Sequence, residues 1–128
     1  MRGLNILNDT KISEVKLSEI IKLTEAKIVA GNFKPDYEVH KAFSSDLMSD
    51  VLTLDEDKIL LVTGLSNVQI IRTAEMADID VVLLARNKRA SRQMIELANE
   101  NGLILLETPF SIFRSSGLLY NGGLAPVY

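Results

Sequence analysis

The sequence predicts an α/β domain, built on a mainly parallel sheet with helices on both faces. Three apolar runs, KILLVTG, IDVVLLA and LILLE, have the composition of strands that are buried on both sides. Each run is followed by a segment in which apolar residues recur at helical spacing. Right-handed crossovers between such strands force a parallel sheet. We therefore expect an N-terminal extension at 1–15 and a single domain at 16–128.

The elements before residue 35 are predicted from shorter patterns. KLSEIIKLTEA places Leu17, Ile20 and Ile21 on one face of a short amphipathic helix. AKIVAG is typical of a strand that ends at Gly31, and NFKPD is typical of a turn or loop.

YEVHKAF alternates between apolar and polar residues. Tyr37, Val39 and Phe43 fall on one face, whereas Glu38 and His40 fall on the other. This period of two predicts one half-buried or edge strand. His40 is the only histidine, and we interpret it as an exposed strand residue rather than a general base.

SSDLMSDVL carries two aspartates four residues apart. A helix that begins near Ser44 or Ser45 would place Asp46 and Asp50 on one face, as a metal site or an acid–base pair requires. Further ligands are not visible in the sequence. The favoured interpretation is that Ser44, Ser45 and Asp46 cap the first turn.

Three helices are predicted in the second half. Ser66 and Gln69 match a capping box at the first, and Gly102 is the expected stop of the second. Thr108 and Pro109 match the N-cap and first position of the third.

Composition excludes several classes of function. The net charge of −3 offers no general electrostatic footprint for nucleic acid. The absence of cysteine removes thiol nucleophiles and cysteine-ligated metals and favours a reducing compartment. No stretch approaches the roughly 20 apolar residues of a membrane span, and the first 11 residues lack a signal-peptide core. We expect a cytoplasmic protein with no catalytic residues, no cofactor and no metal.

Ligands of open parallel sheets lie at the carboxyl ends of the strands. Three loops fall there: TGLSN, ARNKRAS and ETP. The first offers N–H groups at a helix start, and the second is basic, so both favour a small anionic metabolite or nucleotide. An alternative is that these cations are simply solvated. The candidate ligand-binding residues are Thr63, Gly64, Ser66, Asn67, Arg86, Asn87, Arg89 and Ser91.

The C-terminal segment FSIFRSSGLLYNGGLAPVY carries more apolar surface than one helix face normally buries. Its apolar side chains include those of Phe113, Leu119 and Tyr120. Such a patch indicates a homodimer seam or a surface that docks another protein, such as a kinase or a redox enzyme.

The order and spacing of KLSEIIKLTEAKIVAG, SSDLMSDVL and the β-α-β-α-β segment resemble the DRTGG domain, over about residues 16–121. SSDLMSDVL resembles a run typical of small stand-alone DRTGG proteins of the hydrogenase-associated type. Related domains accompany CBS domains in regulated pyrophosphatases and occur in phosphotransacetylases. The resemblance implies a fold similar to the N-terminal domain of HPr kinase and a regulatory or assembling role rather than an enzymatic one.

The signature residues of that family are replaced in this chain. Its Asp-Arg pair falls on Leu65 and Ser66, and its Thr-Gly-Gly falls on Ala85, Arg86 and Asn87. No binding residue is carried over from the family. The replaced positions nevertheless coincide with the two loops that the predicted topology selects.

Overall fold

The computed structural model of this protein describes residues 14–128. Within these residues the strands are β1 Val15–Lys16, β2 Lys27–Ala30, β3 Glu38–Val39, β4 Lys41–Ser44, β5 Ile59–Thr63, β6 Val81–Leu84, β7 Ile104–Glu107 and β8 Ala125–Pro126. Six of these described strands form a sheet in the order β2-β7-β6-β5-β4-β8, and β1 and β3 form a separate antiparallel pair. All neighbours in the larger sheet are parallel except β2 and β7.

Within residues 14–128, five helices connect these strands: α1 Leu17–Thr24, α2 Met48–Val51, α3 Val68–Met76, α4 Arg92–Asn101 and α5 Ile112–Asn121. None of the helices in the described part is long and apolar enough to cross a membrane. The order and pairing of these strands and helices confirm the predicted α/β fold with a mainly parallel sheet. Residues 1–13, most of the predicted extension, lie outside the described residues, and Val15 already belongs to β1.

The central strands are buried on both faces. Leu61 and Val82 pack into one core with α2, α3 and α4, whereas Leu60 and Val81 pack into a second core with α1, α5 and the β1–β3 pair. Alternate residues of one strand thus enter opposite layers, as a parallel sheet covered by helices requires.

The predicted strand YEVHKAF is in fact two strands. β3 pairs with β1, β4 joins the large sheet, and His40 lies between them with its N–H donating to the carbonyl of Lys58 at 2.8 Å. Val39 packs into the second core, whereas Phe43 packs against the first. The prediction of one face was wrong because a period of two holds only within one uninterrupted strand.

The helix in SSDLMSDVL begins later than predicted. β4 runs through Ser44, which pairs with Val62, so the helix cannot begin there. The N-cap is Leu47, without a side-chain cap, and the helix has only four residues. Asp46 precedes it and does not share a helix face with Asp50.

Two predicted caps were also wrong. Asn67, not Ser66, caps α3 and accepts a hydrogen bond from the N–H of Ile70 at 3.2 Å. Ser111, not Thr108, caps α5. The hydroxyl of Thr108 instead donates to the carbonyl of Thr24 at 2.6 Å, so a tertiary contact takes the group that the local pattern assigned to the helix. The predicted stop at Gly102, with φ 69°, is confirmed.

Candidate functional site

Three loops meet at the carboxyl edge of the sheet, defined here as the ends of β5, β6 and β7. Thr63 pairs in register with Leu84, and Leu84 pairs with Glu107. The loops that follow, at 63–67, 85–91 and 107–110, are therefore neighbours. This is the arrangement expected of a parallel sheet, and ligands bind at such edges.

The 63–67 loop is held by the side chain of Asp46, a residue that follows the last residue of β4. Oδ1 of Asp46 accepts hydrogen bonds from the hydroxyl of Thr63 at 2.9 Å and from the N–H of Gly64 at 2.7 Å. A Cβ atom at Gly64 would lie 3.1 Å from Cδ1 of Ile112 and 3.4 Å from Oδ2 of Asp46, so a side chain would crowd this contact. An external anion that used these two donors would have to displace Asp46.

The sequence does not predict Asp46 at this edge, because its spacing from Asp50 matches a helix face. The signal that could have placed it there is its position two residues beyond the last residue of β4, Ser44. Residues that follow parallel strands gather at one edge.

The far end of the 63–67 loop touches the 85–91 loop. The hydroxyl of Ser66 donates to the carbonyl of Arg89 at 2.5 Å. Among the described residues, the first-turn N–H groups of Val68 and Gln69 have no protein acceptor. These donors and the helix dipole suit an anion.

The backbone of the 85–91 loop is strained. Arg86 and Asn87 both adopt positive φ, 64° and 60°. This left-handed conformation costs an ordinary residue roughly 1–2 kcal/mol. It is held by hydrogen bonds from the N–H of Arg86 to the carbonyl of Phe110 at 2.6 Å and from the N–H of Asn87 to that of Thr108 at 3.0 Å. These are the two positions at which the family resemblance places glycines.

A buried carboxyl group braces the other end of the 85–91 loop. Glu107 is 7% exposed, and its Oε2 accepts a hydrogen bond from the N–H of Ala90 at 2.7 Å. Lys27 lies 3.8 Å from its Oε1 but is largely exposed, so this ion pair contributes little. Ser91 caps α4 by accepting from the N–H of Met94 at 3.1 Å. Its hydroxyl therefore already has a structural function.

Two arginines of this edge lack an anionic partner within residues 14–128. Arg86 and Arg89 are exposed, and the described part of the chain provides no ion pair for either guanidinium. Arg92 lies 4.0 Å from Glu96, and both side chains are exposed. Arg114, which was not among the predicted residues, stacks on the ring of Phe110 at 3.8 Å. Phe110 directly precedes Ser111, the N-cap of α5, and Arg114 lies in the first turn of that helix, so no helical periodicity in the sequence signals the pair.

A cleft of about 350 Å³ lies at the opposite, amino edge of β5 and β6. Four of its lining residues are acidic, so it repels an anionic ligand. Its lining residues are Leu52, Leu54, Asp55, Glu56, Asp57, Met76, Ala77 and Asp78. Arg86 and Arg89, which have no ion pair among the described residues, make the carboxyl edge, rather than this cleft, the candidate site for an anion.

Tyr37 lies near the same amino edge. Its hydroxyl donates to Oδ2 of Asp80 at 2.6 Å, and Nζ of Lys58 lies 4.4 Å from its ring centroid. Partial burial, followed by the hydrogen bond and the negative charge of Asp80, raises the pKa of Tyr37 well above its usual range. The phenol therefore remains protonated and serves as a structural donor.

Comparison with known proteins identifies a similar fold. No family model matches this chain, and no curated protein matches it. A matching solved structure is the crystal structure of the CBS and DRTGG domains of the regulatory region of Clostridium perfringens pyrophosphatase, complexed with the activator diadenosine tetraphosphate. The TM-score is 0.70 at 18% identity, over 94% of this chain and 51% of that chain. This chain thus spans about half of that structure, and the likeness supports a DRTGG-like α/β fold.

Proposed function

We propose that this chain is a non-enzymatic regulatory module that binds a small anionic metabolite or nucleotide at the carboxyl edge. The observation that carries the proposal is the pair of exposed guanidinium groups, Arg86 and Arg89, on a strained loop. In the described residues neither has a carboxylate partner. Arginine binds phosphate and carboxylate through paired hydrogen bonds, and strained backbone clusters at functional sites.

The surroundings add contacts that an anionic ligand could use. Ser66 and Asn67 place the start of α3 beside the 85–91 loop, with first-turn N–H groups that favour negative charge. Phe110 and Arg114 provide an aromatic ring and a further cation next to Arg86. A nucleotide would use both the charges and the ring, whereas a simple phosphate would use the charges alone. Thr63 and Gly64 take part only if Asp46 moves.

The structural neighbour supports the same class of function. That structure contains the regulatory region of a pyrophosphatase in complex with a nucleotide activator. We propose that this chain is also a regulatory module. We propose further that it binds its ligand through charged side chains of the 85–91 loop, where the family resemblance places glycines.

Thermal denaturation with ATP, diadenosine tetraphosphate and pyrophosphate as probes tests this proposal. We expect at least one probe to raise the melting temperature of the wild type. Arg86→Ala combined with Arg89→Ala should weaken that probe's binding by at least about tenfold, since each lost charge-assisted hydrogen bond is worth about 1.5–3 kcal/mol. The control, Lys22→Ala combined with Lys34→Ala, removes the same charge from exposed positions elsewhere. Equal binding by both double variants would rule out the 85–91 loop as the site.

A second candidate function is supported by the outer face of α5. Phe113 is 90% exposed and Tyr120 is 53% exposed, whereas Leu119 of the same helix is buried. We propose that a second copy of the chain covers this face. The alternative is a structural protein that docks a kinase or redox enzyme there and binds no small molecule.

Measurement of the molecular mass in solution distinguishes a homodimer interface on α5 from a docking surface for another protein. A dimer that Phe113→Ser with Tyr120→Ser converts to monomer would support the homodimer. Phe33→Ser, at a position that is 41% exposed and does not belong to α5, is the matched control. A wild-type monomer at all concentrations tested would remove the homodimer and leave only the docking function.

A further inference from the structure

A cluster of three metal-ligating side chains lies on the β1–β3 pair, away from the carboxyl edge. Glu14, Glu38 and His40 place one ligand atom each within 4.8 Å of one another. Glu14 and Glu38 are exposed, and His40 is half-buried.

The strand register explains why these residues meet. Val15 pairs with Val39, and Lys16 pairs with Glu38. Extending this antiparallel register by one residue places Glu14 opposite His40. Glu38 and His40 are two residues apart and project to the same side of the chain.

The buried face of the pair fixes that orientation. Val15 and Val39 are 2% and 0% exposed, so the alternate residues must face outward. The backbone of His40 is anchored by its N–H, which donates to the carbonyl of Lys58 at 2.8 Å. The three side chains are thus brought together by the fold rather than by chance contact of loops.

Neither carboxylate has a compensating cation in the described part of the chain, and none of the three side chains has a hydrogen-bond partner there. The nearest candidate by register, Lys16, has its ammonium 3.8 Å from Asp36. Two carboxylates that converge without a cation repel each other, and a bound cation would relieve that repulsion.

We propose that Glu14, Glu38 and His40 bind a divalent transition-metal ion of the zinc type. The imidazole distinguishes this set from the all-oxygen sites that Mg²⁺ and Ca²⁺ prefer. Ligand atoms at about 2.1 Å from a tetrahedral ion lie about 3.4 Å apart, so ligand atoms that are all within 4.8 Å of one another need at most a small approach to reach that spacing. Three protein ligands leave at least one position for water or for a group from another molecule. The ion would tie the chain before β1 to β3 and to the entry of β4.

Isothermal titration of the tag-free, chelator-treated full chain with ZnCl₂ tests the site. We expect one zinc ion per chain and binding of MgCl₂ at least about a hundredfold weaker, because imidazole is a poor magnesium ligand. His40→Ala should weaken zinc binding by at least about tenfold, since loss of even an outer-shell partner of a metal ligand costs that much. Glu38→Gln, which keeps the size of the side chain, should also weaken it.

Glu100→Gln is the matched control, because it neutralises an exposed carboxylate on α4. It should bind zinc as the wild type does. Circular dichroism of each variant confirms that the fold is retained, and Glu38→Gln carries the test if His40→Ala does not fold. No zinc binding by the wild type, or equal affinity in Glu38→Gln and Glu100→Gln, would overturn the proposal.

Discussion

The 63–67 loop and the 85–91 loop leave adjacent strands at the same edge of the sheet, yet they are stabilised in different ways. Asp46 satisfies the donors at the start of the first loop, and Asn67 caps the helix that follows. The second loop is braced by Glu107 but carries two positive-φ residues and exposed arginines. The donors at the start of the first loop are already bound to the carboxylate of Asp46, whereas the positive charge of the second loop is uncompensated within the described residues.

This difference indicates where an external anion would bind. An anion at the start of the 63–67 loop would have to compete with Asp46, whose carboxylate already accepts from the buried hydroxyl of Thr63. Among the described residues, an anion at Arg86 and Arg89 displaces no protein group. The 85–91 loop therefore supplies the charge in our proposal, and the 63–67 loop supplies the helix start beside it.

Removal of the buried Glu107 side chain, which stabilises the 85–91 loop, should have the largest effect on stability. Glu107→Ala leaves the N–H of Ala90 without its acceptor and creates a cavity, so we expect the free energy of unfolding to fall by about 3 kcal/mol. Glu107→Gln keeps an acceptor of the same size and should cost about 1 kcal/mol. Urea denaturation measures both values. Equal losses would show that charge, rather than the hydrogen bond, is the contribution of Glu107.

Removal of the brace of the 63–67 loop should have a smaller effect. Asp46→Ala deprives Thr63 and Gly64 of one shared acceptor, and we expect a loss of about 2 kcal/mol by urea denaturation. The cost is lower than for Glu107 because Asp46 is exposed and water can enter. Asp50→Ala, an exposed aspartate of the following helix, is the control. A loss for Asp46→Ala no larger than that of the control would contradict the role of Asp46.

Relief of backbone strain should have the smallest effect. Arg86→Gly and Arg86→Ala remove the same charge, but only glycine accepts φ of 64° without strain. Arg86→Gly should therefore be more stable than Arg86→Ala by about 1 kcal/mol, measured by thermal or urea unfolding. Identical stabilities would mean that the left-handed conformation at this position is not the native one.

The second half of the fold is predictable from sequence because each β-α unit there carries its own signal. The strands KILLVTG, IDVVLLA and LILLE are uniformly apolar, and Gly102 marks a helix end. The first half of the fold is harder to predict because the chain passes from one sheet to the other at His40. Local patterns do not reveal such a change, since it depends on pairing with distant strands.

The candidate site was predictable in position but not in its internal contacts. Parallel topology alone selects the loops at 63–67 and 85–91. The contacts of Asp46, Glu107 and Thr108 link residues 17 to 84 positions apart in the chain, so no local motif contains them. Each of these side chains forms a hydrogen bond that its neighbours in the sequence do not predict.

The difference between the two loops can be measured directly by ¹H–¹⁵N chemical-shift changes on titration with diadenosine tetraphosphate and, in parallel, pyrophosphate. Our account predicts the largest changes at the amides of Arg86, Asn87 and Arg89, smaller changes at the start of α3, and little change at Gly64. Changes centred on Gly64 with none at 86–89, or no change with either compound at millimolar concentration, would contradict it.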